Sequence, residues 1–148
     1  MVGGMSDIER ILVATDFSDT AARALEVAVG LAQRQGATLH VLHVYPLLMY
    51  ALGQDLVPDD PQFEARLRER LQAKLDETVA ALPKGLTVKS SLVQGNPARE
   101  IPAQAEKLGA NLIVMGTHGR TGFQHMMLGS VAERTLRHST VPVLTVPG

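Results

Sequence analysis

Four residues between positions 116 and 130 stand at a spacing that could do chemistry: Gly116, Gly119, Gly129 and Ser130, a G-x2-G-x9-G-S pattern. They follow Leu112-Ile113-Val114-Met115, a continuous and partly β-branched apolar run that reads as a buried strand. Glycines placed after a strand let the main chain turn and approach a ligand with no Cβ in the way. Ser130 with Glu133 three residues on has the form of a capping box, which predicts a helix beginning there. The unpaired N–H groups and positive dipole end of such a helix suit an anion, above all a phosphate. Each hydrogen bond to a charged phosphate oxygen contributes about 1.5–3 kcal/mol, so a few give useful affinity.

Neither common phosphate loop is present. A P-loop ends in Gly-Lys-Ser/Thr, and this chain has no lysine after Lys107. A dinucleotide fingerprint follows the first strand, where this chain has Asp16-Phe17-Ser18-Asp19 without a glycine. The glycines taken alone fit a plain strand-to-helix turn equally well.

The elements that must position this loop are legible from periodicity. Arg10 to Thr15, Thr38 to Tyr45, Thr87 to Val93, Leu112 to Met115 and Val141 to Val146 read as strands. Between them lie amphipathic segments with stop and start signals. Ser18 is an N-cap for a helix burying Ala21, Leu25, Ala28 and Leu31/Ala32 and stopped by Gly36. Asp60-Pro61 predicts a cap and first-turn proline for a helix striped by Phe63, Leu67, Leu71, Leu75, Val79 and Leu82. Its mixed-charge face reads as solvated surface. Gly95-Asn96-Pro97 repeats that start for a helix ending at Gly109, with Pro102 expected to bend it. The connection from Pro46 to Pro61, carrying Leu47, Leu48, Met49, Tyr50, Leu52 and Leu56, is long enough to suggest a flap near the ligand, with a disordered linker as the alternative.

Strands alternating with helices argue an open parallel α/β sheet with right-handed crossovers and helices on both faces. At 148 residues the chain reads as one domain, with residues 1–6 a loose leader. Aromatic residues are only 3% against 45% hydrophobic, so the core must be aliphatic, as in helices packed on a parallel sheet. A net charge of -1 with interspersed signs gives no footprint for nucleic acid, and no apolar span suggests a membrane segment, so the cytoplasm is expected. Without cysteine, thiol chemistry and disulfides are excluded.

The string Met115-Gly-Thr-His-Gly-Arg-Thr-Gly-Phe, followed by Leu128-Gly-Ser-Val-Ala-Glu-Arg, closely resembles the ATP-binding loop of the universal stress protein family. The resemblance extends to Ile11-Leu12-Val13-Ala14-Thr15-Asp16-Phe17-Ser18, Leu42-His43-Val44, Gly95-Asn96-Pro97-Ala98 and Val141-Pro142-Val143-Leu144, almost the whole chain. It implies a five-stranded, Rossmann-like sheet of order 3-2-1-4-5, related to the adenine nucleotide alpha hydrolases. Strands one and four would then face each other across the nucleotide crevice. The resemblance further implies that Asp16 contacts ribose or adenine, that Ala14 and Thr15 line the base, and that Val44 supports it. Gly116, Gly119, Gly129 and Ser130 would hold phosphates, flanked by Met115, His118, Arg120, Val131 and Ala132. The ligand would be ATP, or AMP or ADP, with Mg2+ or Mn2+ carried by the phosphates. Valine at Gly116 or Gly129 is then expected to abolish binding and leave the fold intact. The implied function is a nucleotide-dependent switch or sensor in the stress response, homodimeric through the Val141–Val146 edge strand. The alternative is a slow ATPase or nucleotidyl-transfer enzyme on the same fold.

No catalytic residue is assigned, since the chain has no G-x-S-x-G elbow or evident paired carboxylates. No protein-held metal is expected either. His40 and His43 are three apart on a strand and point to opposite faces, while His118 and His125 lack a zinc spacing. His138 reads as a complement to a helix C-terminus. Gln124 and His125 stand where many relatives carry basic residues, which bears on the preference for triphosphate over AMP or ADP.

Overall fold

The computed structural model describes residues 7–47, 52–118 and 128–148. The leader, Leu48 to Ala51, and the loop carrying Gly119, Arg120, Gln124 and His125 lie outside the described residues.

Five short segments form the strands: β1 (Arg10–Ala14), β2 (Thr38–Tyr45), β3 (Val88–Gln94), β4 (Leu112–Gly116) and β5 (Val143–Val146). They pair parallel in the order β3-β2-β1-β4-β5. Register places Ile11 beside both Leu39 and Leu112. The expected sheet and strand order are therefore the observed ones.

Among the described residues, four α-helices connect the strands: α1 (Asp19–Gln35), α2 (Phe63–Ala80), α3 (Pro97–Leu108) and α4 (Ser130–His138). Alternation along each strand splits the core into two layers. On one face Ile11, Val13, Leu39, Val41 and Val114 pack with Ala24, Ala28 and Ala32 of α1 and Leu75 of α2. On the other, Leu12, Leu42, Val44, Ile113 and Met115 pack with Ile101 and Ala105 of α3 and Ala132 of α4. The many alanines let helices lie close on the sheet, which is how a chain so poor in aromatic residues fills its core.

Local punctuation mostly acts as the sequence predicts. Ser18 Oγ accepts from the Ala21 N–H at 3.1 Å, and Asn96 Oδ1 accepts from the Ala98 N–H at 3.0 Å. Gly36 and Gly109 end their helices in the left-handed conformation, at φ 66° in each case.

Two start signals are displaced. Asp60 accepts from the Gln62 N–H at 2.9 Å, closing a turn over Pro61, so the N-cap is Gln62 and α2 begins at Phe63. Ser130 is not a cap. Gly129, extended at φ -71° and ψ 161°, is the residue whose carbonyl accepts from the Glu133 N–H at 2.9 Å, and Ser130 is already helical. Glu133 pairs with Arg137 instead of closing a capping box. β5 starts two residues later than expected, because Pro142 has no N–H to give the ladder, although its carbonyl accepts from Ile113 at 2.9 Å.

Candidate functional site

β1 ends against a turn that local hydrogen bonds shape. Thr15 continues the ladder, its N–H donating to the Leu42 carbonyl at 2.8 Å. Thr15 Oγ1 then accepts from the Phe17 N–H, and Asp16 Oδ1 from the Ser18 N–H, both at 3.0 Å. These bonds carry Phe17 through φ 65°, the one left-handed conformation at a described non-glycine residue. A bulky side chain there costs on the order of 1–3 kcal/mol. Its ring is held by His43, with centroids 4.5 Å apart, and by the Lys74 ammonium 5.4 Å from the Phe17 ring centre.

His43 is buried, and its Nδ1 lies 2.7 Å from the Thr15 carbonyl oxygen. A carbonyl only accepts, so Nδ1 carries the proton. The imidazole thus ties the end of β2 to the turn after β1. His40 lies on the opposite face, 2.7 Å from Ser91 Oγ; burial first, and then the nearby Lys89 charge, lower its pKa from the usual imidazole value. The two histidines are separated by the sheet, as their spacing requires.

The chain leaves β4 at Gly116 and returns at Gly129, where the Gly129 N–H donates to the Thr117 carbonyl at 2.6 Å and closes the stem of the loop. A Cβ at Gly129 would stand 2.8 Å from that same carbonyl oxygen. At Gly116 a Cβ would stand 2.6 Å from Thr20 Cγ2 on α1. Both glycines therefore serve close packing of protein on protein. Valine at either position would disturb the fold itself, contrary to the sequence expectation. Thr117 Oγ1 lies 2.9 Å from His118 Nδ1, which joins the stem to the residue beginning the loop.

Between these two turns, beyond the carboxyl ends of β1 and β4, is a cavity of about 700 Å³. Ala14, Thr15, Asp16, Val44, Met115, Gly116, His118, Gly129, Ser130, Val131 and Ala132 all line it. Of the residues expected to bind the nucleotide, only Gly119 and Arg120 are not placed, because they lie outside the described residues. The neighbouring β1 and β4 mark the point where the winding of the sheet reverses, the usual ligand position in open α/β sheets.

Sequence reasoning missed part of the wall. Phe17, His43, Tyr45, Leu67, Leu71 and Ile101 also line the cavity. Leu67 and Leu71 read as members of a core stripe, and nothing local says that their part of α2 overhangs the strand ends. That overhang is secured by Arg68, which donates to the Tyr45 hydroxyl at 2.9 Å, and by Gln94, which donates to Glu64. Charged residues of the solvated face thus anchor the helix over the site. Among the described residues of the 46–61 connection, only Pro46 lines the cavity; Leu48, Met49 and Tyr50, on which the flap reading falls, lie outside the described residues.

An open parallel α/β protein with a ligand-sized cavity where the winding reverses is the class that fold and site define. The chain belongs to the universal stress protein family, whose family model matches residues 7–147. It is 38% identical over 144 residues to universal stress protein YxiE of Bacillus subtilis, covering 93% of this chain and 97% of the relative. Its fold is similar to the solved structure of MJ0577, a universal stress protein of Methanocaldococcus jannaschii, with a TM-score of 0.81 at 31% identity over 95% of this chain and 96% of that one. It is also similar to a universal stress protein solved in complex with cAMP, with a TM-score of 0.66 at 26% identity over 95% and 98% of the two chains.

Among the described residues no group of three or more His, Asp or Glu is placed to hold a metal ion. No described helix is long and apolar enough to cross a membrane.

Proposed function

We propose that the cavity binds an adenine nucleotide and that occupancy of this site, rather than turnover, is the protein's function as a stress-response switch or sensor. The observation that carries this reading is the cavity itself, whose 700 Å³ lies within the range of small-molecule sites. The base would lie against Ala14, Thr15 and Val44, with Asp16 toward the ribose or the base edge. The phosphates would extend toward Gly116, His118, Gly129 and Ser130, and onto Gly119 and Arg120 of the loop. The solved relative in complex with cAMP supports an adenine ligand.

The residues fit that ligand chemically. Val44, Met115, Leu42 and Ile101 offer an apolar wall for a base, while Asp16, Thr15 and Ser130 offer polar groups at the turns. Because the helix start is capped by Gly129, the Ser130 hydroxyl is not spent on the cap. A divalent ion, Mg2+ or Mn2+, would be carried by the phosphates and not by a protein ligand set. The protein is read as a homodimer through β5, which pairs on one side only and carries the exposed Leu144.

Titration calorimetry with ATP, ADP and AMP, alongside mass spectrometry of small molecules released from purified protein, tests the reading. Saturable binding is expected, weakened in Asp16→Asn, which keeps an oxygen acceptor for the Ser18 N–H but removes the charge. No heat with any of the three at millimolar concentration would defeat it.

A further inference from the structure

A second hollow lies on the outer side of the helices that wall the nucleotide cavity. It is a groove of about 460 Å³ between α3 and α4, lined by Asn96, Ala98, Arg99, Pro102, Ala103, Glu106, Arg134 and His138. The residues of these helices that line the larger cavity, Pro97 and Ile101 on α3 and Ser130 to Ala132 on α4, are different ones. The two hollows are therefore separated by the helices themselves.

The groove is chemically polarised. Arg99 and Arg134 come from different helices, and neither guanidinium makes an ion pair or a hydrogen bond among the described residues. The carboxylate lining the groove, Glu106, accepts from the Thr140 hydroxyl at 2.6 Å. The first-turn amide of Ala98 is already taken by Asn96 Oδ1, so recognition in the groove falls to side chains. Ala98, Pro102 and Ala103 supply an apolar strip among the charged groups.

We infer that this groove is a second ligand site, for a small phosphate monoester that also carries an amine or hydroxyl. Two guanidinium forks suit the oxygens of a phosphate, and they do so with a geometry a lysine pair would not provide. The volume exceeds that of a bare ion and leaves room for a short organic body over the alanine and proline surface. Glu106 repels the anion and accepts from the donor at the ligand's other end, which sets its orientation. Nothing in this assignment depends on the nucleotide reading, because the groove and the larger cavity share no lining residue.

The test is an amide NMR titration of the full chain with phosphoethanolamine, with ethanolamine and inorganic phosphate as separate probes. Saturable shifts are expected at Ala98, Arg99, Ala103, Arg134 and His138, with half-saturation at lower concentration for phosphoethanolamine than for either part alone. Arg99→Gln and Arg134→Gln are each expected to weaken binding about fivefold, as loss of an exposed charge-assisted contact should. Arg34→Gln, on the last turn of α1, should leave it unchanged. Shifts confined to residues of the larger cavity, shifts unaltered in both arginine variants, or equal binding of inorganic phosphate would each overturn the assignment.

Discussion

Replacing Gly129 by alanine probes the closure of the loop stem together with the start of α4. The new Cβ would stand 2.8 Å from the Thr117 carbonyl oxygen and 3.5 Å from His118 Cα. The first contact is with backbone, which cannot rotate away, so the stem must open. Opening it stretches the 2.6 Å bond from the Gly129 N–H to Thr117, a loss of about 1 kcal/mol. Alanine is also a poorer N-cap than glycine, which adds up to about 1 kcal/mol at the start of α4. The sum is about 2 kcal/mol, or a fall in Tm of about 4–8 °C for a chain of this size. If the nucleotide needs the closed stem, the stem share of about 1 kcal/mol makes affinity about fivefold weaker. Gly30→Ala is the matched control: a Cβ there meets nothing within 4 Å, and the residue is inside α1, so a gain of about 0.5–1 kcal/mol is expected. Differential scanning calorimetry and nucleotide titration of both variants decide the matter. A Gly129→Ala protein with unchanged Tm and wild-type affinity would refute the argument that this glycine exists for the stem.

Leu75, fully buried between α2 and the sheet, should lose about 2–5 kcal/mol of stability on truncation to alanine, measured by urea unfolding. His40 has a folded pKa lowered by burial and by Lys89, so the unfolded chain binds its proton first as pH falls below 6.5. Stability should therefore decline on acidification from 6.5 down through the lowered value, and His40→Gln should flatten that part of the profile. Leu144→Lys on the open edge of β5 should shift sedimentation from dimer to monomer with no loss of fold; an unchanged dimer would remove β5 as the interface.

Much of the cavity lining was legible because its residues sit at strand ends and helix starts, where local rules are strong. Ala14 to Asp16 follow the first apolar run, and Gly116 ends the fourth. Once strand order is known, these must meet. The capping positions of Ser130 and Asp60 were misplaced by one and two residues. The side chain at such a boundary can satisfy the helix or a preceding turn, and only backbone geometry decides. What a Cβ at Gly116 or Gly129 would hit was not legible, because it depends on where Thr20 and Thr117 lie in space.

By itself the amino-acid sequence determined the alternation of strands and helices, the aliphatic core and the position of the glycine loop. Each of these follows from periodicity, composition or short-range sterics. Only the tertiary structure decided that His43 braces the Thr15 carbonyl, that Phe17 is held in a left-handed turn, and that Leu67 and Leu71 close the cavity. Those contacts join residues far apart along the chain, and packing alone chooses among the many partners that an apolar or aromatic side chain could take.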